Sequence, residues 1–218
     1  MTGHIRDLFF IPKCVFCQRI LDSGCICEEC ERSLPRMNGS FRGVEFAEKC
    51  VAALRYEGKV KESLIRYKFM GRQSYSAEYA ALINDALTKY LPSGWDEITF
   101  VPISLFRRFK RRYDQAELLA LELSRLCGKR AVRYLVKRRH TPKQSQIRGA
   151  AARRANVTGA YRAVRKGELR GKRILLVDDI ITTGATASEC ARTLLMAGAE
   201  RVYCAALAKA GGKEEGKS

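Results

Sequence analysis

The stretch RILLVDDIITTGAT, residues 173–186, decides the reading of this chain. Residues 173–178 have the apolar run of a short buried strand, and residues 186–198 have helical periodicity. Two carboxylates, Asp178 and Asp179, therefore fall at a strand end, directly before a turn rich in threonine and glycine. Thr182, Thr183, Gly184, Ala185 and Thr186 offer hydroxyls and approachable backbone N–H groups at a helix N-terminus, a cradle for phosphate. Acids repel phosphate, so the two features belong together only if one ligand carries hydroxyls for the acids and a phosphate for the loop. A sugar 5-phosphate meets both demands, with vicinal ribose hydroxyls donating to the carboxylates. No Gly-Lys-Ser/Thr follows, so the loop is not a Walker A loop, nor is it the G-x-G-x-x-G of dinucleotide folds.

The flanking segments set the fold class. ITFVP (98–102), AVRYLV (131–136), TGAYRAV (158–164) and RVYCAALA (201–208) read as strands. QAELLALELSRLCG (115–128) reads as an amphipathic helix, with Ala116, Leu119, Leu123 and Leu126 on one face and Gly128 past its end. Alternating strands and helices predict an α/β fold with a parallel sheet flanked by helices, binding ligands at the carboxyl ends of its strands. This core is expected over 96–210. Residues 41–95 contain one possible strand, KCVAALRY (49–56), and two helical patterns, 59–71 and 76–91, and read as a helical hood forming one wall of a cleft. The tail 211–218 is polar and is expected to be disordered.

Residues 1–40 form a separate module. Five of the nine cysteines lie between 14 and 30, and Cys14/Cys17 and Cys27/Cys30 form two C-x2-C pairs. Such pairs grip a tetrahedral ion from two tight turns and complete an S4 site with no open position, so a structural Zn²⁺ ribbon is expected. Cys25 is a spare that replaces Cys27 only with poorer spacing. No run approaches the roughly 18–20 apolar residues that span a bilayer, and the N-terminus lacks the pattern of a signal peptide. Cytoplasmic location without membrane insertion is the expectation.

Forty-one Lys and Arg against 23 Asp and Glu give a net charge of +18, which favours anionic partners. The charge is concentrated in FRRFKRR (106–112) and in 137–154, which holds seven basic residues and no acid. Phe106, Phe109, Tyr113 and Tyr134 lie near the basic stretches as candidate stacking platforms for nucleic-acid bases, although core packing suits Tyr134 better.

Two acids, two intervening residues and TTGAT after an apolar run resemble the 5-phosphoribosyl 1-pyrophosphate (PRPP) signature of type I phosphoribosyltransferases. VPISLFRRFKRRYDQAELLA (101–120), RRHTPKQSQ…RRANVTGAY (138–161), YEG (56–58), KF (68–69) and the four-cysteine N-terminus are similar to the ComF family, over nearly the whole chain. One departure is Arg112, where that family usually has glycine.

The resemblance implies PRPP or a related phosphoribosyl ligand, Mg²⁺ neutralising its diphosphate, and displacement of that diphosphate at C1. Asp178, Asp179, Arg107 and Arg111 would then be the catalytic set. The 182–186 loop, Pro102 and Ile103 would bind PRPP, and Arg139, Thr141 and Gln144 would belong to a lid. It also implies a link to DNA uptake and natural transformation, or to nucleotide metabolism, with single-stranded DNA and DNA-uptake proteins as partners. The alternative is a non-catalytic DNA-binding accessory protein that keeps the fold. Whether the chain is an enzyme stays open, because only one strand follows the motif helix and no acceptor pocket is evident.

Overall fold

The computed structural model describes residues 12–91, 94–104, 108–109, 112–138 and 155–211. In chain order its first half comprises α1 (Glu28–Ser33), β1 (Ser40–Phe41), β2 (Lys49–Arg55), α2 (Gly58–Phe69), α3 (Tyr75–Tyr90) and β3 (Glu97–Phe100). The second half comprises α4 (Gln115–Cys127), β4 (Leu135–Lys137), β5 (Tyr161–Ala163), α5 (Lys166–Leu169), β6 (Arg173–Ile181), α6 (Ala185–Met196) and β7 (Arg201–Lys209).

Five strands form one sheet in the order β1-β2-β7-β6-β3. Only the outermost β1 runs antiparallel; β2, β7, β6 and β3 are mutually parallel, as the alternating pattern predicts. β6 from Ile174 to Val177 and β7 from Val202 to Ala208 are apolar because helices cover both faces of a parallel sheet. One core holds Leu175, Val177, Ala205 and Leu207 with Leu64, Tyr67 and Tyr79 of α2 and α3 and Leu119 and Leu123 of α4. The other holds Ile174, Leu176, Cys204 and Ala206 with Cys190 and Leu194 of α6. Alternate residues of β6 thus serve opposite layers. β4 and β5 pair antiparallel as a separate ribbon, joining the two segments expected to meet across the basic stretch.

Three sequence expectations shift. β6 extends to Ile181 because β7 continues beside it, with Ile181 opposite Lys209, so the acids lie within the strand rather than at its end. On its other side β3 stops at Phe100, opposite Val177, and there the acids do stand beyond the paired edge. Residues 41–95 supply α2 and α3, but β2 lies inside the sheet, paired with β7. Leu126, read as part of the α4 core face, is half exposed, while Ala116, Leu119 and Leu123 are buried. α4 is bounded as its sequence dictates: the Asp114 side chain accepts from the Glu117 amide, and Gly128 closes it at φ +66°. The expected tail lies almost wholly outside the described residues.

Candidate functional site

The last sheet hydrogen bond on the β3 side of β6 runs from the Val101 amide to the Val177 carbonyl, 3.0 Å. Beyond it Asp178 and Asp179 occupy an open notch, and strand alternation sends their side chains to opposite faces. Asp178 belongs with Leu176: its charge is felt by the buried thiols of Cys190, which burial pushes up, and Cys204, which a hydrogen bond with Cys50 and then burial push up. Asp179 belongs with Val177: after burial, its charge is the largest cause raising the Tyr67 phenol. The Asp178 carboxylate accepts from the Asp179 amide at 2.8 Å. Burial first, and then Asp179, hold the Asp178 carboxyl well above the usual carboxylate range; Lys68 acts against them.

Lys68 is a site residue that the sequence offers only within the helical pattern 59–71 and as part of a resemblance. Its ammonium lies 2.9 Å from Asp179 Oδ1, with both side chains largely buried. It stands at the end of α2, which other contacts fix. The Tyr67 hydroxyl donates to the Gln115 carbonyl at 3.0 Å, and the Tyr113 hydroxyl donates to the Tyr67 carbonyl.

On the other face the chain turns through 182–184 into α6, so Ala185 and Thr186 open the helix rather than ending the loop. Gly184 has φ +81°, and a Cβ there would stand 1.8 Å from the Gly43 carbonyl oxygen. The glycine is needed for a backbone crossing as well as for its dihedral. Residues 43–45, which the sequence did not flag, also tie to α6 through the Glu45 amide and Ser188 Oγ, 2.8 Å apart. Lys209 Nζ donates to the carbonyls of Thr182 and Ala210, each at 2.7 Å, and pins the turn from below. A cleft of about 40 Å³, lined by Asp178, Ile180, Ile181, Thr182, Gly184, Thr186 and Ala187, opens here. The Thr183 hydroxyl, in the same turn, is buried with no partner among the described residues.

Of the other expected residues, Pro102 is buried and Ile103 is half-buried beside the notch. The Ile103 amide donates to Asp114 Oδ2 at 3.0 Å, so Asp114 both caps α4 and holds the 102–104 turn. Burial raises the Asp114 carboxyl to about 6. Arg107, Arg111, Arg139, Thr141 and Gln144 lie outside the described residues. Arg112, at the family's glycine position, has φ +65°, so the backbone keeps the left-handed conformation that glycine favours. Of the aromatics considered for base stacking, Tyr113 and Tyr134 are buried and unsuited to it; Tyr134 donates to Glu97. Phe109 is 90% exposed and Phe106 lies outside the described residues.

The cysteine module forms as its spacing predicts. The sulfurs of Cys14, Cys17, Cys27 and Cys30 all lie within 4.8 Å of one another. A tetrahedral S4 zinc site with bonds of about 2.3 Å spaces its sulfurs about 3.8 Å apart, inside that bound. The amides of Cys27 and Cys30 point at Cys14 Sγ and Cys27 Sγ, 3.5 and 3.4 Å away, as suits thiolate acceptors. Cys25 is outside the cluster with its thiol exposed, while its carbonyl accepts from Val15. α2 and α3 hold the module: Arg66 donates to the Phe16 carbonyl at 2.5 Å, and Gln18 donates to the Tyr75 hydroxyl at 2.8 Å.

Comparison with known proteins agrees with this architecture. Residues 116–218 match the family described as phosphoribosyl transferase domain. Competence protein F of Haemophilus influenzae is 31% identical over 229 residues, covering 95% of this chain and 96% of the relative. Competence protein ComFC of Bacillus subtilis is 26% identical over 198 residues, covering 91% and 74%. DNA utilization protein YhgH of Escherichia coli O6:H1 is 32% identical over 111 residues, about half of each chain. With its phosphoribosyl transferase domain, parallel α/β sheet and N-terminal four-cysteine cluster, this chain belongs to the ComF family of competence proteins.

Proposed function

We propose that the protein binds PRPP or a related phosphoribosyl ligand at the carboxyl end of β6, and that it is a candidate phosphoribosyltransferase serving DNA uptake or nucleotide metabolism in the cytoplasm. The observation that carries this reading is the pairing of the acids with a glycine-dependent turn at a helix N-terminus, beside a buried Thr183 hydroxyl without a partner among the described residues. The 5-phosphate takes the 182–186 turn, and Asp178 and Asp179 accept from the ribose hydroxyls. Pro102 and Ile103 lie on the turn that faces the diphosphate, with Arg107 and Arg111 as its cationic contacts. Arg139, Thr141 and Gln144 close over the ligand and exclude water. Asp178 and Asp179 are the hard oxygen donors that fit Mg²⁺, directly or through waters. When bound, Mg²⁺ would neutralise charge on the departing diphosphate. Cys14, Cys17, Cys27 and Cys30 hold a structural Zn²⁺, a donor set that fits and leaves no open coordination position. Incubation with PRPP, Mg²⁺ and a panel of bases and nucleosides, read by diphosphate release, tests turnover. Release above the background of an Asp178→Asn/Asp179→Asn variant is the expected result for an enzyme.

A non-catalytic role with single-stranded DNA is favoured by a separate observation, the net charge of +18 with two basic stretches, in a chain similar to proteins named for competence and DNA utilization. Among the described residues no helix is long and apolar enough to cross a membrane. If the stretch 106–112 lines a DNA track, Arg108→Gln/Lys110→Gln lowers single-strand affinity and flattens its salt dependence, by roughly 0.7 in log–log slope per lost phosphate contact. Unchanged DNA binding with collapsed PRPP binding would instead assign the stretch to the small-ligand site.

A further inference from the structure

The turn 182–186 contains no basic residue, and two acids stand just before it. A cation reaches it from another strand: Lys209, the last residue of β7. β7 keeps its register with β6 up to this point, with Ile181 opposite Lys209 and the Ala210 amide donating to the Ile181 carbonyl at 2.9 Å. Lys209 Nζ donates to the carbonyls of Thr182 and Ala210 at 2.7 Å and of Gly211 at 2.9 Å, and stands 5.6 Å from the centre of the Phe41 ring. All three ammonium donors are used, each by a neutral group. Burial lowers the pKa of this ammonium, and no carboxylate among the described residues pairs with it.

A partly desolvated cation without a counter-ion is costly to keep. The turn has other supports that carry no such cost. Gly184 crosses the Gly43 carbonyl closely, and the Glu45 amide donates to Ser188 Oγ on α6. The Lys209 contact differs from both in carrying a full charge and in where it falls. In a planar trans peptide the carbonyl and the following amide point opposite ways, so a Thr182 carbonyl held against Lys209 directs the Thr183 amide away from it. The ammonium also polarises that peptide and makes its amide a stronger donor.

We propose that Lys209 is the positioning residue of the phosphate turn: it aims the Thr183 amide at the 5-phosphate of the ligand and supplies the positive charge beneath that phosphate. This rests on the reading of the 178–186 segment as a phosphoribosyl site. The three carbonyls occupy every donor of the ammonium, so Lys209 does not touch the ligand and acts through the Thr182–Thr183 peptide. A phosphate in the turn becomes the counter-ion that the ammonium lacks among the described residues. The turn thereby holds a phosphate next to two acids without a basic residue of its own.

The test compares wild type with Lys209→Met, Lys209→Gln and Lys209→Arg by calorimetric titration of ribose 5-phosphate and by the NMR shift of the Thr183 amide proton. Lys209→Met is expected to weaken ribose 5-phosphate binding about 10- to 100-fold, and Lys209→Arg to keep most of the affinity. Lys209→Gln retains a donor for the Thr182 carbonyl without the charge and should fall between them. In wild type the Thr183 amide proton moves downfield as ribose 5-phosphate is added. In Lys209→Met it moves less at saturation, while the amides of Leu175 and Leu207 match wild type and report an intact sheet. A lysine that only braced the fold would lower the urea midpoint and leave the bound Thr183 shift unchanged, and that result overturns the proposal. Affinity of Lys209→Met within about twofold of wild type overturns it as well, and leaves the site reading intact. Should Lys209→Met not fold, Lys209→Gln decides by the same two readouts. Failure of wild type to bind either ribose 5-phosphate or PRPP overturns the site reading and the proposal with it.

Discussion

In the cysteine module all four thiols come from residues 14–30, whereas around the acid pair the groups that shape the site come from Gly43, Lys68, Asp114 and Lys209. The first is a closed local device whose ligands are set by two tight turns. The second is assembled by the sheet, which brings a loop before β2, the end of α2, the cap of α4 and the end of β7 to one strand. Local devices fail when a ligand atom is lost. Assembled ones fail when an approach is blocked or a supporting charge is moved. The two regions should therefore respond differently to substitution.

The largest effect is expected in the module. Cys27→Ser/Cys30→Ser should abolish the zinc binding expected of wild type, about one ion per chain; structural zinc contributes on the order of 10 kcal/mol to such folds. Cys25→Ser should leave zinc content unchanged, because Cys25 stands outside the cluster. Elemental analysis of protein purified without added metal measures both. Equal zinc in wild type and the double variant would break the contrast at its local end.

Gly184→Ala should come next. Its methyl would meet the Gly43 carbonyl oxygen at 1.8 Å, so either the 43–45 segment or the turn must move. A loss of about 2–4 kcal/mol in urea denaturation is expected, with PRPP binding lost as well. A variant of wild-type stability would mean that the crossing at Gly43 is not a fixed part of the site.

A smaller, pH-dependent effect belongs to Asp114. Its folded carboxyl is raised to about 6 by burial, so on raising the pH the unfolded chain releases this proton first. Stability should therefore fall between about pH 4 and pH 6, by at most about 1.4 kcal/mol per pH unit from this group. Asp114→Asn should flatten that slope while costing about 1 kcal/mol through the weakened bonds to Ile103 and Glu117. Urea midpoints of the two proteins across this range give the comparison.

Arg112→Gly should act least and in the opposite direction. Relief of a left-handed arginine, partly offset by added freedom of the unfolded chain, predicts a gain of up to about 1 kcal/mol. A clear destabilisation would show that the Arg112 side chain matters more than its backbone.

The contrast also explains what was legible in the sequence. The C-x2-C spacing named all four clustered cysteines because a tight turn needs nothing distant to place its ligands. Apolar runs of β-branched and leucine residues gave the parallel sheet, and the family resemblance supplied the glycine that Arg112 replaces in the same backbone conformation. The length of β6 was not legible, because its last residues are held in the sheet by β7 rather than by an apolar pattern of their own. Membership of β2 in the sheet was hidden for the same reason: KCVAALR gives no sign of which strand it will pair with. Lys68 lies in a polar helix and looks like any solvated lysine until α2 is docked beside β6. Asp114 reads as an ordinary helix cap, and its second bond, to Ile103, becomes visible only with the turn in place.

The central claim is that the acids and the turn of the 178–186 segment hold one phosphoribosyl ligand. Calorimetric titration of PRPP with Mg²⁺ against wild type and Asp178→Asn/Asp179→Asn tests it most directly. Binding of about one PRPP per wild-type chain, with affinity reduced about 100-fold or more in a variant that remains folded, is the predicted result. Equal affinity in the two proteins, or no binding to wild type, would contradict it.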